Sequence, residues 1–92
     1  MRKVDRKKAS SEAFVETPEA LGRFLREMRQ ETGLTQSEAA GLCNVGIRFV
    51  NELEHGKSTA ALGKVMQVLR GYGVRLHAFR RSARHTAGRT GP

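Results

Sequence analysis

Residues 33–57, GLTQSEAAGLCNVGIRFVNELEHGK, contain two helix starts about a dozen residues apart, with a short turn between them. Helices this short do not persist alone in water, where nucleation makes anything below roughly 12–15 residues marginal. The segment therefore needs neighbours to hold it and a reason for its spacing. Its first start is a capping box. The Thr35 hydroxyl suits the backbone N–H of Glu38, and the Glu38 carboxylate reaches back to Thr35. Leu34 precedes the cap as a hydrophobic staple, and Ala39, Ala40 and Leu42 make a helix slim enough to lie close to a neighbour. In the turn Cys43-Asn44-Val45-Gly46, Asn44 is the residue suited to a left-handed backbone, and Gly46 stands near the next cap. A second helix then runs from Ile47 to His55 with Phe49, Val50 and Leu53 apolar, and Gly56 closes it.

The flanks supply the support. Thr17-Pro18-Glu19 is a strong helix start: Thr caps, Pro fits the first turn, and Glu meets the positive end of the helix dipole. Phe14 or Val15 is a candidate staple for it. Leu21, Phe24, Leu25 and Met28 form one helical face, Gly33 is the left-handed stop, and Arg23, Arg26 and Arg29 lie off the stripe. A fourth helix is expected from Ser58 or Thr59, with a stripe of Leu62, Val65, Met66 and Leu69 and a stop at Gly71-Tyr72-Gly73.

The period then changes to two, with Val74, Leu76 and Ala78 alternating against Arg75, His77 and Phe79, as in a strand. A lone strand leaves its backbone groups unpaired, and no second strand candidate exists in this sequence. The simplest partner is the same strand of another copy, antiparallel across a two-fold axis, which makes a homodimer. The expected organisation is a basic N-terminal arm over 1–16, a helical domain over 17–73, a dimerisation strand over 74–79 and a disordered basic tail over 80–92.

Ninety-two residues with 38% hydrophobic and 5% aromatic side chains suffice for one compact helical domain, and are light for a stable monomer. The net charge of +8 is unevenly placed. Arg2, Lys3, Arg6, Lys7 and Lys8 against Asp5 charge one end, and Arg80, Arg81, Arg84 and Arg89 charge the other, while residues 9–79 balance. Basic arms around a neutral domain suit a polyanion, most simply nucleic acid, although they also serve as plain solubilising ends. Cys43 stands alone, which leaves no intramolecular disulfide and no metal-ligand cluster, and its place in the turn suits packing. His55, His77 and His85 are scattered without a carboxylate motif, and no glycine-rich phosphate loop occurs. No enzyme, cofactor or metal is expected. No apolar run approaches the ~20 residues of a membrane span. The basic N-terminus lacks a signal peptide's apolar segment, so the default compartment is the cytoplasm.

Two helices joined by a three- to four-residue turn and flanked by a helix on each side make a helix-turn-helix. In that arrangement the first helix crosses the DNA backbone and the second enters the major groove. An ordinary helical hairpin would be apolar on the corresponding side, where this chain has Arg48, Asn51, Glu52 and Lys57. The pattern LTQSEAA…V……V..LE.G, carried by Leu34, Thr35, Gln36, Glu38, Ala40, Val45, Val50, Leu53, Glu54 and Gly56, resembles the core of the XRE or phage-repressor family over about residues 18–71.

The resemblance implies an all-α, lambda-repressor-like helix-turn-helix bundle of four to five helices; the alternation beyond it adds a C-terminal β-strand expected to pair across a dimer through Val74, Leu76 and Ala78. It also implies that Gln36 contacts a phosphate, that Ile47, Arg48 and Glu52 face the bases with Asn51 beside them, and that Arg29 and Glu54 form an internal ion pair. Two positions depart from the family. Gly46 replaces the usual Ser or Thr cap, and Ile47 is apolar where a polar reader is common, although it would still suit a thymine methyl. The segment LRGYGVRLHAF is similar to the closing strand of HipB-type antitoxins, which repress their own operon and bind a HipA-like serine/threonine-kinase toxin. The expected partners are thus double-stranded operator DNA, a second copy and such a toxin, with no membrane. A stand-alone XRE-family regulator, or a protein-binding module that has lost DNA contact, are the alternatives.

Overall fold

A computed structural model describes residues 12–81, with four helices: α1 (Pro18–Glu31), α2 (Gln36–Cys43), α3 (Ile47–Glu54) and α4 (Leu62–Gly71). Local chemistry explains most of their ends. The Ala20 N–H donates to Thr17 Oγ1 at 3.0 Å, with Pro18 in the first turn of α1. At its other end Gly33 adopts φ 78°, the Gly33 N–H reaches Gln30 O at 3.0 Å, and the Leu34 N–H reaches Arg29 O at 3.2 Å. These paired bonds satisfy carbonyls that the helix leaves open. Both arms of the capping box form, from Glu38 N–H to Thr35 Oγ1 at 3.0 Å and from Thr35 N–H to Glu38 Oε1 at 2.9 Å. Asn44, at φ 58°, is the left-handed non-glycine residue between α2 and α3.

Each helix contributes to one core. Leu25 of α1, Cys43 of α2, Leu53 of α3 and Val65, Val68 and Leu69 of α4 are buried together, with Phe24, Phe49, Tyr72 and Val74 packed around them. Leu25, Val50 and Val68 are the largest fully enclosed side chains, and each such burial stabilises by about 1.5–3 kcal/mol. Two close backbone approaches set the packing. A Cβ on Gly22 would lie 2.5 Å from Leu53 O, so α1 crosses α3 with no side chain between them. A Cβ on Gly71 would lie 2.5 Å from Cys43 Sγ, which seats α2 against the end of α4. Cys43 is thus a packing residue, and burial raises its thiol pKa.

Three sequence expectations change. The fourth helix starts at Leu62, not Ser58 or Thr59, from an extended Ala61 at φ −65°, ψ 121°. No side chain caps it, so the Ser-Thr signal marked a turn. Its buried stripe is Val65, Val68 and Leu69, while Leu62 and Met66 are exposed, because the core lies one position round the helix from the expected face. Phe14 is open to solvent, whereas Val15 lines a groove of about 290 Å³ with Pro18, Leu21 and Leu62.

The expected strand over 74–79 forms no ladder among the described residues: Val74 packs on the core and residues 75–81 are exposed and extend without a partner strand. Residues 1–11 and 82–92, which hold most of the expected arm and tail, lie outside the described residues. Among those described, no helix is long and apolar enough to cross a membrane.

Candidate nucleic-acid interface

Helix α3 has two unlike faces. Val50, Leu53 and Glu54 are buried, whereas Ile47, Arg48 and Asn51, beside them round the helix, are exposed. Its start is open as well. Gly46 is extended at φ −78°, ψ 154° and offers no side chain to cap the helix, which leaves first-turn N–H groups available to solvent or a ligand. Arg48, the only cation in α3, has a side chain 86% exposed and lies 3.7 Å from Glu52. Half-buried Glu52 also accepts from Lys57 Nζ at 3.1 Å. Solvent-facing pairs of this kind contribute little and leave the cations free to swing onto another anion.

Beneath this face lies a buried charge network. Arg29 of α1 donates from Nε to Glu54 Oε2 at 2.6 Å and from Nη2 to Glu54 Oε1 at 2.9 Å, a two-pronged pair with side chains 12% and 3% exposed. Arg29 Nη1 also donates to Leu34 O at 2.8 Å, just before the α2 cap. Burial alone would raise the Glu54 carboxyl pKa. The hydrogen bonds from Arg29 and Gln36, with the charges of Arg29 and Arg26, outweigh burial and hold it below the usual carboxylate range. In return the bond to Glu54 raises the Arg29 pKa. Tyr72, nearby in the core, is pushed up to about 12, first by burial and then by Cys43 and Glu54.

Gln36, the first residue of α2, joins the two levels. It donates from Nε2 to Glu54 Oε1 at 3.0 Å and accepts at Oε1 from Asn51 Nδ2 at 3.3 Å. The structure therefore brings Gln36, Asn51, Arg29 and Glu54 into one network, with Gly46, Ile47 and Arg48 at the open end of α3 and Glu52 and Lys57 paired at its flank. Of the expected strand residues, Val74 is half-buried while Leu76 and Ala78 are exposed; beside them His77 stacks on Phe79 at 4.9 Å between ring centroids.

Two supporting residues escaped the sequence reading. Gln67 of α4 donates from Nε2 to Cys43 O at 3.3 Å and Asn44 O at 3.2 Å, pinning the turn between α2 and α3. Lys64 places its ammonium 5.8 Å from the Phe49 ring centroid, adding a cation beside α3. A lone amide amid the apolar positions of α4 was the available sign for Gln67, and Lys64 had none.

Two short helices across a pinned turn, with the second exposed along one side, define a helix-turn-helix protein. The profile described as a helix-turn-helix domain matches residues 20–81, and the chain belongs to that family. It is 48% identical over 59 residues to the uncharacterized HTH-type transcriptional regulator y4mF of Sinorhizobium fredii, covering 64% of this chain and 78% of that one. It is 32% identical over 53 residues to the HTH-type transcriptional regulator DdrOP3 of Deinococcus deserti, covering 58% of this chain and 41% of that one. Among solved structures it is similar to a HipB–O4 20mer complex, with a TM-score of 0.70 at 18% identity over 77% of this chain and 100% of that chain. A chain of a HipA-HipB-O2-O3 complex matches with the same score, identity and coverage. At that identity the likeness speaks for the fold alone.

Proposed function

We propose that this protein is a sequence-specific transcriptional repressor that binds double-stranded operator DNA as a homodimer in the cytoplasm. The observation that carries the reading is α3 itself: an uncapped, exposed N-terminal face bearing Ile47, Arg48 and Asn51, backed by the buried Arg29–Glu54 pair. In this reading α3 lies in the major groove, Arg48 and Asn51 reach base edges, Ile47 meets a thymine methyl, and Glu52 accepts from a cytosine amine. Gln36 and Lys57 sit at phosphates, and open N–H groups near Gly46 favour an anion there. Residues 74–79 pair with their copies and hold two α3 helices at successive turns of the duplex, roughly 34 Å apart.

Within that class we read the chain as a HipB-like antitoxin that represses its own operon and binds a HipA-like serine/threonine-kinase toxin. Support comes from the fold shared with HipB chains, one of them in a complex with HipA, and from the alternating segment after α4. A stand-alone regulator is the second reading, favoured by two relatives named only as transcriptional regulators. A gel-shift on the protein's own promoter at two salt concentrations tests the shared claim. Retarded promoter, weakened by salt and resistant to scrambled competitor, is expected; equal retardation of scrambled DNA refutes it. Co-purification with the product of an adjacent kinase gene separates the antitoxin from the stand-alone regulator.

A further inference from the structure

Glu54 accepts three hydrogen bonds, two from Arg29 and one from Gln36 Nε2. An ionised carboxylate accepts and never donates, so the buried end of this network has a fixed polarity. Gln36 must turn its amide nitrogen toward Glu54, which leaves Oε1 facing α3. Asn51 must meet that oxygen with Nδ2, as it does at 3.3 Å, and its own Oδ1 is left for another partner. Flipping Asn51 would set two acceptor oxygens against each other with no proton between them. The ion pair thus dictates, through one glutamine, which end of an exposed amide is committed.

We propose that Gln36 is a positioning residue that orients Asn51 to read adenine in the major groove. The proposal rests on the DNA reading above and adds the base and the cause of its selection. Adenine offers an N6 amine as donor and N7 as acceptor, and Asn pairs with both at once. An Asn51 held by one N–H still has Oδ1 for the amine and a second N–H for N7. Guanine presents acceptors at both N7 and O6, which leaves Oδ1 facing an oxygen. Gln36 therefore acts beyond any phosphate contact of its own, because losing a phosphate contact weakens all sequences alike.

The test is enrichment of randomised duplexes on the full-length protein and on its Gln36→Ala, Asn51→Ala and doubly substituted variants, each first shown by melting to be folded. Wild type is expected to enrich an adenine in each half-site. Each single variant should lose about 5- to 150-fold of that preference, and the double variant no more than either single. The salt slope should stay unchanged, since no charge is removed. Adenine preference that survives Gln36→Ala but not Asn51→Ala overturns the positioning role, and preference that survives both overturns Asn51 as the reader. A wild-type protein that binds DNA but enriches no adenine overturns the proposal alone. One that enriches no sequence overturns the DNA reading and the proposal with it.

Discussion

Replacing Glu54 with Gln should destabilise the fold far more than a one-atom change suggests. The carboxylate is 3% exposed, and Arg29, 12% exposed, spends two hydrogen bonds on it at 2.6 and 2.9 Å. The variant keeps the side-chain shape but leaves the guanidinium largely out of water with no counter-charge. Removing one partner of a buried pair costs about 3–5 kcal/mol. The lower end fits here, about 3 kcal/mol, because Gln retains one acceptor oxygen and Arg29 keeps its bond to Leu34 O. For a domain of this size each kcal/mol lowers Tm by about 4–8 °C, so a loss on the order of 12–24 °C is expected by calorimetry. The pH dependence has a definite sign. A carboxyl held below its ordinary 4.5 stabilises the fold above that pH, and this stabilisation is lost as pH falls through the lowered folded value. Wild type should therefore shed this margin below pH 4.5, and Glu54→Gln should lack that step. A variant melting with wild type at pH 7, or one retaining the acid step, would refute the reasoning.

Gly22→Ala should lower Tm despite a gain of about 1 kcal/mol in helix propensity, because its Cβ would meet Leu53 O at 2.5 Å and Glu54 O at 2.7 Å. A raised Tm would mean that α1 and α3 part freely. Arg48→Ala should lose about 1–3 kcal/mol on the preferred duplex and relax one position per half-site in anisotropy titrations; uniform weakening on every duplex would make Arg48 a phosphate contact. Leu76→Pro removes a backbone donor from the proposed dimer strand and should sediment as monomer. A persistent dimer would place the interface elsewhere.

Features decided within a few residues were legible in the sequence. The Thr35–Glu38 box, left-handed Asn44 and the Gly33 stop all depend on neighbours in the chain, and all formed where expected. The start of α4 was not legible, because Ser58 and Thr59 look like caps while the real N-cap is Ala61. Its buried face was ambiguous for a related reason. Leu62, Val65, Met66, Val68 and Leu69 offer two overlapping stripes, and only contact with α2 and the rest of the core selects one. Arg29 and Glu54 came from family resemblance, whereas the Gln36–Asn51 link depends on how the start of α2 meets the middle of α3, which no spacing rule encodes. Alternation over 74–79 was visible, but the described residues form no ladder there, and pairing with another copy stays a proposal.

The central claim is that the exposed face of α3 contacts DNA, and amide chemical-shift mapping with an enriched duplex tests it most directly. The account predicts the largest shifts at Gly46, Arg48, Asn51 and Glu52, with Gln36 and Lys57 moving beside them and the outer side of α1 at Arg23 and Glu27 unmoved. Shifts confined to the basic segment at Arg80 and Arg81, with α3 unchanged, would contradict it.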